Sequence, residues 1–126
     1  MAEFGNANLG TVLSVTGGNA GNFNSADLTN QFGRGCIVRV DLTLTSGTIS
    51  VVPKIQGKIG NNYYDIVVGV AITATGVVLL RVFPGLVAAA NLTVNDILPT
   101  SWRVRLESGA GVSPVFNATV DGSVIM

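Results

Sequence analysis

The chain has 126 residues, 48% of them hydrophobic and only 11% charged, and its seven basic and seven acidic side chains cancel. Its length fits one domain with one core, closed without disulfides or metal. An ordinary soluble domain is about 25% charged, so this surface is coated with uncharged polar side chains, covered by neighbours, or both. The seven cations are scattered from Arg34 to Arg105 with no basic stripe. That excludes nucleic-acid binding by phosphate neutralisation.

Residues 1–25 are rich in glycine and asparagine and contain one apolar alternation, Leu9 to Val15. Such a segment buries little by itself. Phe4, Leu9 and Phe23 recur along it as isolated apolar pegs, with Phe32 just beyond. Two readings stand side by side: an extended N-terminal arm lying on another surface, or a first strand with long loops. The domain organisation expected is an arm over 1–25 and a single β domain over 26–126.

From Cys36 the pattern is clean. Cys36, Val38, Val40, Leu42 and Leu44 alternate with polar residues, and Ile49, Val51, Pro53 and Ile55 do the same. A period of two marks half-buried strands, and the Ser46-Gly47 turn between the runs reads as a β-hairpin. Pro53 lacks a ladder donor, which predicts an edge or a bulge. Strands follow at Tyr63–Val68, at Ala71–Gly76 and at Val77–Phe83. Residues 86–98 are the one helical candidate, a turn or two at most. Trp102, Val104 and Leu106 then face inward, with Arg103 and Arg105 outward. Val115–Val120 and Ser123–Met126 complete about eight strands, and the apolar end at Met126 is expected to be paired or held by a neighbour. The fold class is all-β: an antiparallel β-sandwich or barrel, jelly-roll-like, with the N-terminal arm.

Catalytic chemistry is short of parts. Histidine is absent and Cys36 is the single cysteine. Neither zinc ligand sets nor Ser-His or Cys-His pairs are possible, and Cys36 reads as a small core hydrophobe. No phosphate loop or dinucleotide fingerprint occurs. The chain is expected not to be an enzyme and to need no cofactor or metal. Tyr63 and Tyr64 beside Asp65 form either a ligand platform or cross-strand contacts, the second being the simpler. The N-terminus lacks the basic and apolar regions of a secretory signal, and the longest apolar runs are too short to span a membrane as a helix.

Several segments together carry a family likeness. These are Tyr63-Tyr64-Asp65 through Ala71-Ile72-Thr73-Ala74-Thr75-Gly76, Leu80-Arg81-Val82-Phe83-Pro84-Gly85-Leu86, Ala88-Ala89-Ala90-Asn91, Asn95-Asp96-Ile97-Leu98-Pro99 and Trp102-Arg103-Val104. Asn24-Ser25-Ala26-Asp27 and Asn30 to Arg34 add to it. In these the chain resembles a family of small structural proteins of tailed bacteriophages, most like capsid decoration (cement) proteins. Related sequences often carry a basic residue after the proline at 99, where this chain has Thr100. The resemblance implies a virion protein on the capsid exterior, made in the host cytoplasm. Its partners would be the major capsid protein and further copies of itself, as a homotrimer, with no nucleic acid or membrane. The interface residues expected are Phe4, Leu9, Phe23, Phe32, Tyr63, Tyr64 and Met126. Alternatives are another virion component, such as a tail-tube or head-closure protein, or a sugar- or receptor-binding module using Tyr63, Tyr64 and Trp102.

Overall fold

The computed structural model describes residues 7–31, 33–109, 111 and 114–125. Among them are ten strands: β1 (Ala7–Gly18), β2 (Gly21–Asn24), β3 (Leu28–Thr29), β4 (Gly35–Ser46), β5 (Val51–Ile59), β6 (Asn62–Val68), β7 (Gly76–Val82), β8 (Thr93–Val94), β9 (Ser101–Ser108) and β10 (Val115–Ile125). One sheet runs β1-β10-β4-β7-β8 and the other β2-β9-β5-β6, with β3 also paired to β9. All pairs are antiparallel except β7 with β8.

Leaving aside the two-residue β3 and β8, the strands pair from the outside in. The first pairs with the last (β1 with β10), then β2 with β9, β4 with β7 and β5 with β6. This is a long antiparallel ribbon, folded at the β5–β6 turn and rolled into two sheets. It is the wrapping order of a jelly roll, which packs two sheets over one core. Val38, Val40 and Leu42 of β4, Leu80 and Val82 of β7, and Phe116 and Val120 of β10 line one inner face. Val51 and Ile55 of β5 and Trp102, Val104 and Leu106 of β9 line the other, all essentially inaccessible. Burying each such side chain stabilises the fold by about 1.5–3 kcal/mol.

Four expectations change. The runs around Ser46-Gly47 are not a hairpin, because β4 lies in one sheet and β5 in the other. Alternation fixes which face a strand buries but not its partner. Gly47, at φ 70°, turns the chain across the sandwich. Pro53 is neither in an edge strand nor at a bulge. It lies in β5, between β9 and β6, and its register shift comes later, between Ile55 and Gln56. Its carbonyl accepts from Gly69 N–H at 2.8 Å, just past the end of β6. A residue's N–H and C=O point to the same side of a strand, so the missing donor faces a place where the ladder stops. Residues 71–76 make one isolated bridge, Val51 to Ile72, before β7 begins at Gly76.

The helical candidate is a strap. Ala89 N–H to Thr93 O and Thr93 N–H to Ala89 O close a turn with Asn91 at φ 62°, and β8 then pairs with the β7 edge. A helix here has no apolar stripe to bury, since Ala88, Ala89 and Ala90 are exposed. At the N-terminus, β1 pairs with β10 along its length, with three register irregularities, and β2 pairs with β9. The described part of residues 1–25 thus follows the strand reading. Residues 1–6 lie outside the described residues.

Candidate protein-interaction surface

The outer face of the β2-β9-β5-β6 sheet is polar because alternation sends Lys54, Gln56 and Lys58 out from β5 and Arg103, Arg105 and Glu107 out from β9. Adjacent register joins them into one chain of contacts. Asp27, from the loop before β3, accepts from Lys58 Nζ at 2.8 Å and from the Tyr63 hydroxyl at 2.7 Å. The Arg103 guanidinium lies over the Tyr63 ring, 3.4 Å from its centroid, and its Nε donates to Gln56 Oε1 at 2.8 Å. Gln56 donates to Asp65 at 2.8 Å, Lys54 bridges Asp65 and Glu107, and Arg105 faces Glu107 at 3.5 Å.

This network holds its charges firmly. Lys58, then Tyr63, keep the Asp27 carboxyl below its ordinary range, and Asp27 raises the Lys58 ammonium. Gln56 lowers Asp65, and Glu107 raises Lys54. On the other sheet Arg39 sits between Asp41 at 3.5 Å and Asp121 at 3.8 Å. These carboxylates are therefore occupied by partners. Among the described residues no cluster of three or more His, Cys, Asp or Glu is placed to hold a metal ion. Cys36 is 1% exposed, and burial pushes its thiol up to about 12.

The other surface is apolar. Ten large hydrophobic side chains are exposed among the described residues, and seven fall between positions 68 and 97: Val68, Val70, Val77, Leu79, Val87, Leu92 and Ile97. They make up a flank of three parts: Val68 and Val70 at and just past the end of β6, Val77 and Leu79 on the outer face of β7 beside Asp41 and Arg39 of β4, and Val87, Leu92 and Ile97 on the strap. Val77, Leu79 and Arg81 form the outward row of β7, opposite the buried Leu80 and Val82. Arg81 N–H donates to Leu92 O, and Asn91 donates to Val68 O at 2.9 Å, which ties the strap to both strands. Beside Arg81 runs a groove lined by Ile37, Phe83, Leu86 and Ile125. Residues 66–98 contain two charged side chains, Arg81 and Asp96.

The expected interface residues are dispersed. Leu9, 37% exposed, is on β1 at one edge of the sandwich, and Tyr63 and Tyr64 are on β6 at the opposite edge. Tyr64 lies across β5, where a Cβ at Gly57 would come within 2.6 Å of its hydroxyl. Phe23 packs edge-on against Phe116, centroids 5.5 Å apart, and so rims the core. Trp102 is fully buried and unavailable as a platform. Phe4, Phe32 and Met126 lie outside the described residues. The residues that sequence reasoning passed over are those of the flank. Their signal was a charge gap, since only Arg81 and Asp96 interrupt the run after Asp65.

No protein family, curated protein or solved structure matches the chain.

Proposed function

We propose that this chain is a virion structural protein that coats the head of a tailed bacteriophage and stabilises it through protein–protein contacts, as a decoration protein used in many copies. The observation that carries the reading is the concentration of exposed aliphatic side chains within residues 68–97, a stretch whose own charged residues are Arg81 and Asp96 alone. Large apolar side chains left exposed in numbers on one part of a domain mark a protein contact, and multiplying copies turns weak contacts into firm attachment. The sequence resemblance points the same way. The jelly-roll order adds fold-level analogy only, since that architecture serves viral capsids and also lectins.

A receptor- or sugar-binding role gains no support from the aromatics. Trp102 is buried, and the Tyr63 ring and hydroxyl are already taken by Arg103 and Asp27. The test is to add the purified chain to undecorated phage heads, sediment them and count bound copies. Saturation at a number in fixed ratio to the major capsid protein is the expected result. Heads that sediment without bound chain would refute the reading.

A further inference from the structure

We propose that the outer edge of β7, from Gly76 to Leu80, accepts an extended segment of a partner protein as an added strand. The segment is uncharged and aliphatic at alternate positions, and the backbone groups of Val77 and Leu79 bond it. On the decoration reading, on which the partner's identity rests, the segment belongs to the protein that builds the head.

The backbone of β7 sets the geometry. Arg81 N–H donates to Leu92 O and Phe83 N–H to Val94 O, both on the side away from β4. Polar groups alternate sides along a strand, so the N–H and C=O of Val77 and Leu79 point to that same side. Those of Val78 and Leu80 point to β4, their antiparallel neighbour. β8 pairs only with Arg81 and Val82. Among the described residues no strand lies beyond Gly76–Leu80, and no backbone hydrogen bond reaches Val77 or Leu79 from that side.

The other edges of the two sheets are guarded. β1 has three register irregularities along its pairing with β10. β2 is four residues long and β3 two. β6 carries the charge of Asp65 and a register shift against β5. Bulges, shortness and charge each discourage a further strand. Gly76-Val77-Val78-Leu79-Leu80 has no charge and no proline, its register with β4 is unbroken, and its valines favour the extended form.

Such an edge specifies its occupant. Donors and acceptors spaced at the strand repeat are met by another extended backbone, whereas a helix or a side-chain surface leaves them unmet. β8 shows the same edge already taking a strand two residues on. Arg39 and Asp41 stand one strand further in, beside Leu79 and Val77. The side chains next to an added strand are therefore Val77 and Leu79, which match aliphatic cross-strand partners.

Amide hydrogen exchange of the intact chain, free and bound to undecorated heads, tests this. In the free chain the Val77 and Leu79 amides should exchange about tenfold or more faster than those of Val78 and Leu80, and on heads they should slow by about tenfold or more. Leu79→Pro removes an outward N–H and leaves the β4 ladder intact. It should weaken head binding by about tenfold or more, while Leu79→Val stays within about threefold of wild type. Circular dichroism checks that the proline variant folds, and where it does not, the exchange rates decide. Amides that stay fast on decorated heads overturn the inference and leave the decoration reading standing. Protection that grows with concentration in the free chain also overturns it, since a second copy then holds the edge. Heads that take up no chain defeat the decoration reading alone, and a blocked peptide of alternating threonine and valine then takes their place. At millimolar peptide the same two amides should slow, and unchanged rates would overturn the strand site itself.

Discussion

The guanidinium of Arg103 lies flat on the ring of Tyr63, 3.4 Å from its centroid, while the hydroxyl of that ring donates to Asp27 at 2.7 Å. One aromatic side chain thus links β9, through its face, to the loop before β3, through its edge. The two contacts are separable. Tyr63→Phe removes the hydroxyl but keeps the face, and Tyr63→Ala removes both. A cation over an exposed ring contributes about 0.5–1 kcal/mol. Thermal melts should therefore rank wild type above Phe and Phe above Ala. Equal melting points for the Phe and Ala variants would show that the stacking contributes nothing.

The same cluster sets a pH dependence. Asp27 is held below its ordinary value of 3.8 by Lys58 and then Tyr63, with Arg103 adding a smaller push the same way. A depressed carboxyl stabilises the fold above its unfolded value, and that contribution is lost as pH falls through the folded one. Lys58 is raised above 10.5 by Asp27, so its contribution holds below that value and fades as pH rises through the folded one. Asp27→Asn should lower the melting temperature at neutral pH, with the gap to wild type closing in acid below the ordinary carboxylate range. A gap constant from pH 7 down to pH 2 would mean that the pair is electrostatically silent.

Trp102 is the largest fully buried side chain, and its indole N–H has no hydrogen-bond partner among the described residues. An unsatisfied buried donor costs about 1–3 kcal/mol. Trp102→Phe removes that donor while shrinking the ring, so the losses in packing and the relief offset each other. Trp102→Ala leaves a cavity and costs about 3–5 kcal/mol. Urea unfolding should place the Phe variant much closer to wild type than to Ala. A Phe variant as unstable as Ala would mean that the indole is bonded in solution, through water for example.

Much of this was legible in sequence, for a physical reason. Cys36, Val38, Val40 and Leu42, and Trp102, Val104 and Leu106, announce their buried faces because a strand's side chains alternate, and all seven are buried. Pairing was not legible. Nothing in residues 36–59 states that β4 and β5 enter different sheets, since that depends on β9 and β10 far along the chain. The network around Tyr63 was hidden for the same reason. Its members come from a loop, β5, β6 and β9, and each alone reads as an ordinary outward polar residue. Tyr63 and Tyr64 stood out as a pair, yet adjacent residues point to opposite sides of a strand, so they do not form one platform.

Cys36 offers a probe of opening. Its thiol is 1% exposed and raised to about 12 by burial, and the thiolate is the reactive form. A disulfide exchange reagent at neutral pH should label the native chain far more slowly than the chain in urea. The native rate should track the population of opened molecules, rising in parallel with destabilisation in the Trp102 variants. Labelling of the native chain as fast as that of a free thiol would place Cys36 outside the core.

The strap is pinned at one end by Asn30. This side chain is nearly buried, and its Nδ2 donates to Leu98 O at 3.0 Å and Gly33 O at 2.9 Å, while its Oδ1 accepts from Gly33 N–H at 2.8 Å. Leu98 N–H in turn donates to Arg34 O at 2.8 Å, so the 30–34 loop grips both polar groups of the Leu98 backbone. Asp96 and Ile97 directly precede it. Asn30→Leu keeps similar volume but leaves the Leu98 and Gly33 groups unsatisfied, at a cost of about 1–3 kcal/mol. Asn30→Asp keeps the acceptor for Gly33 and loses both donations. Hydrogen exchange at the Leu98 amide should therefore quicken in both variants, while amides in the centre of β4 and β9 keep their order of protection. Exchange at Leu98 as slow in both variants as in wild type would show that the Asn30 side chain does not anchor the strap.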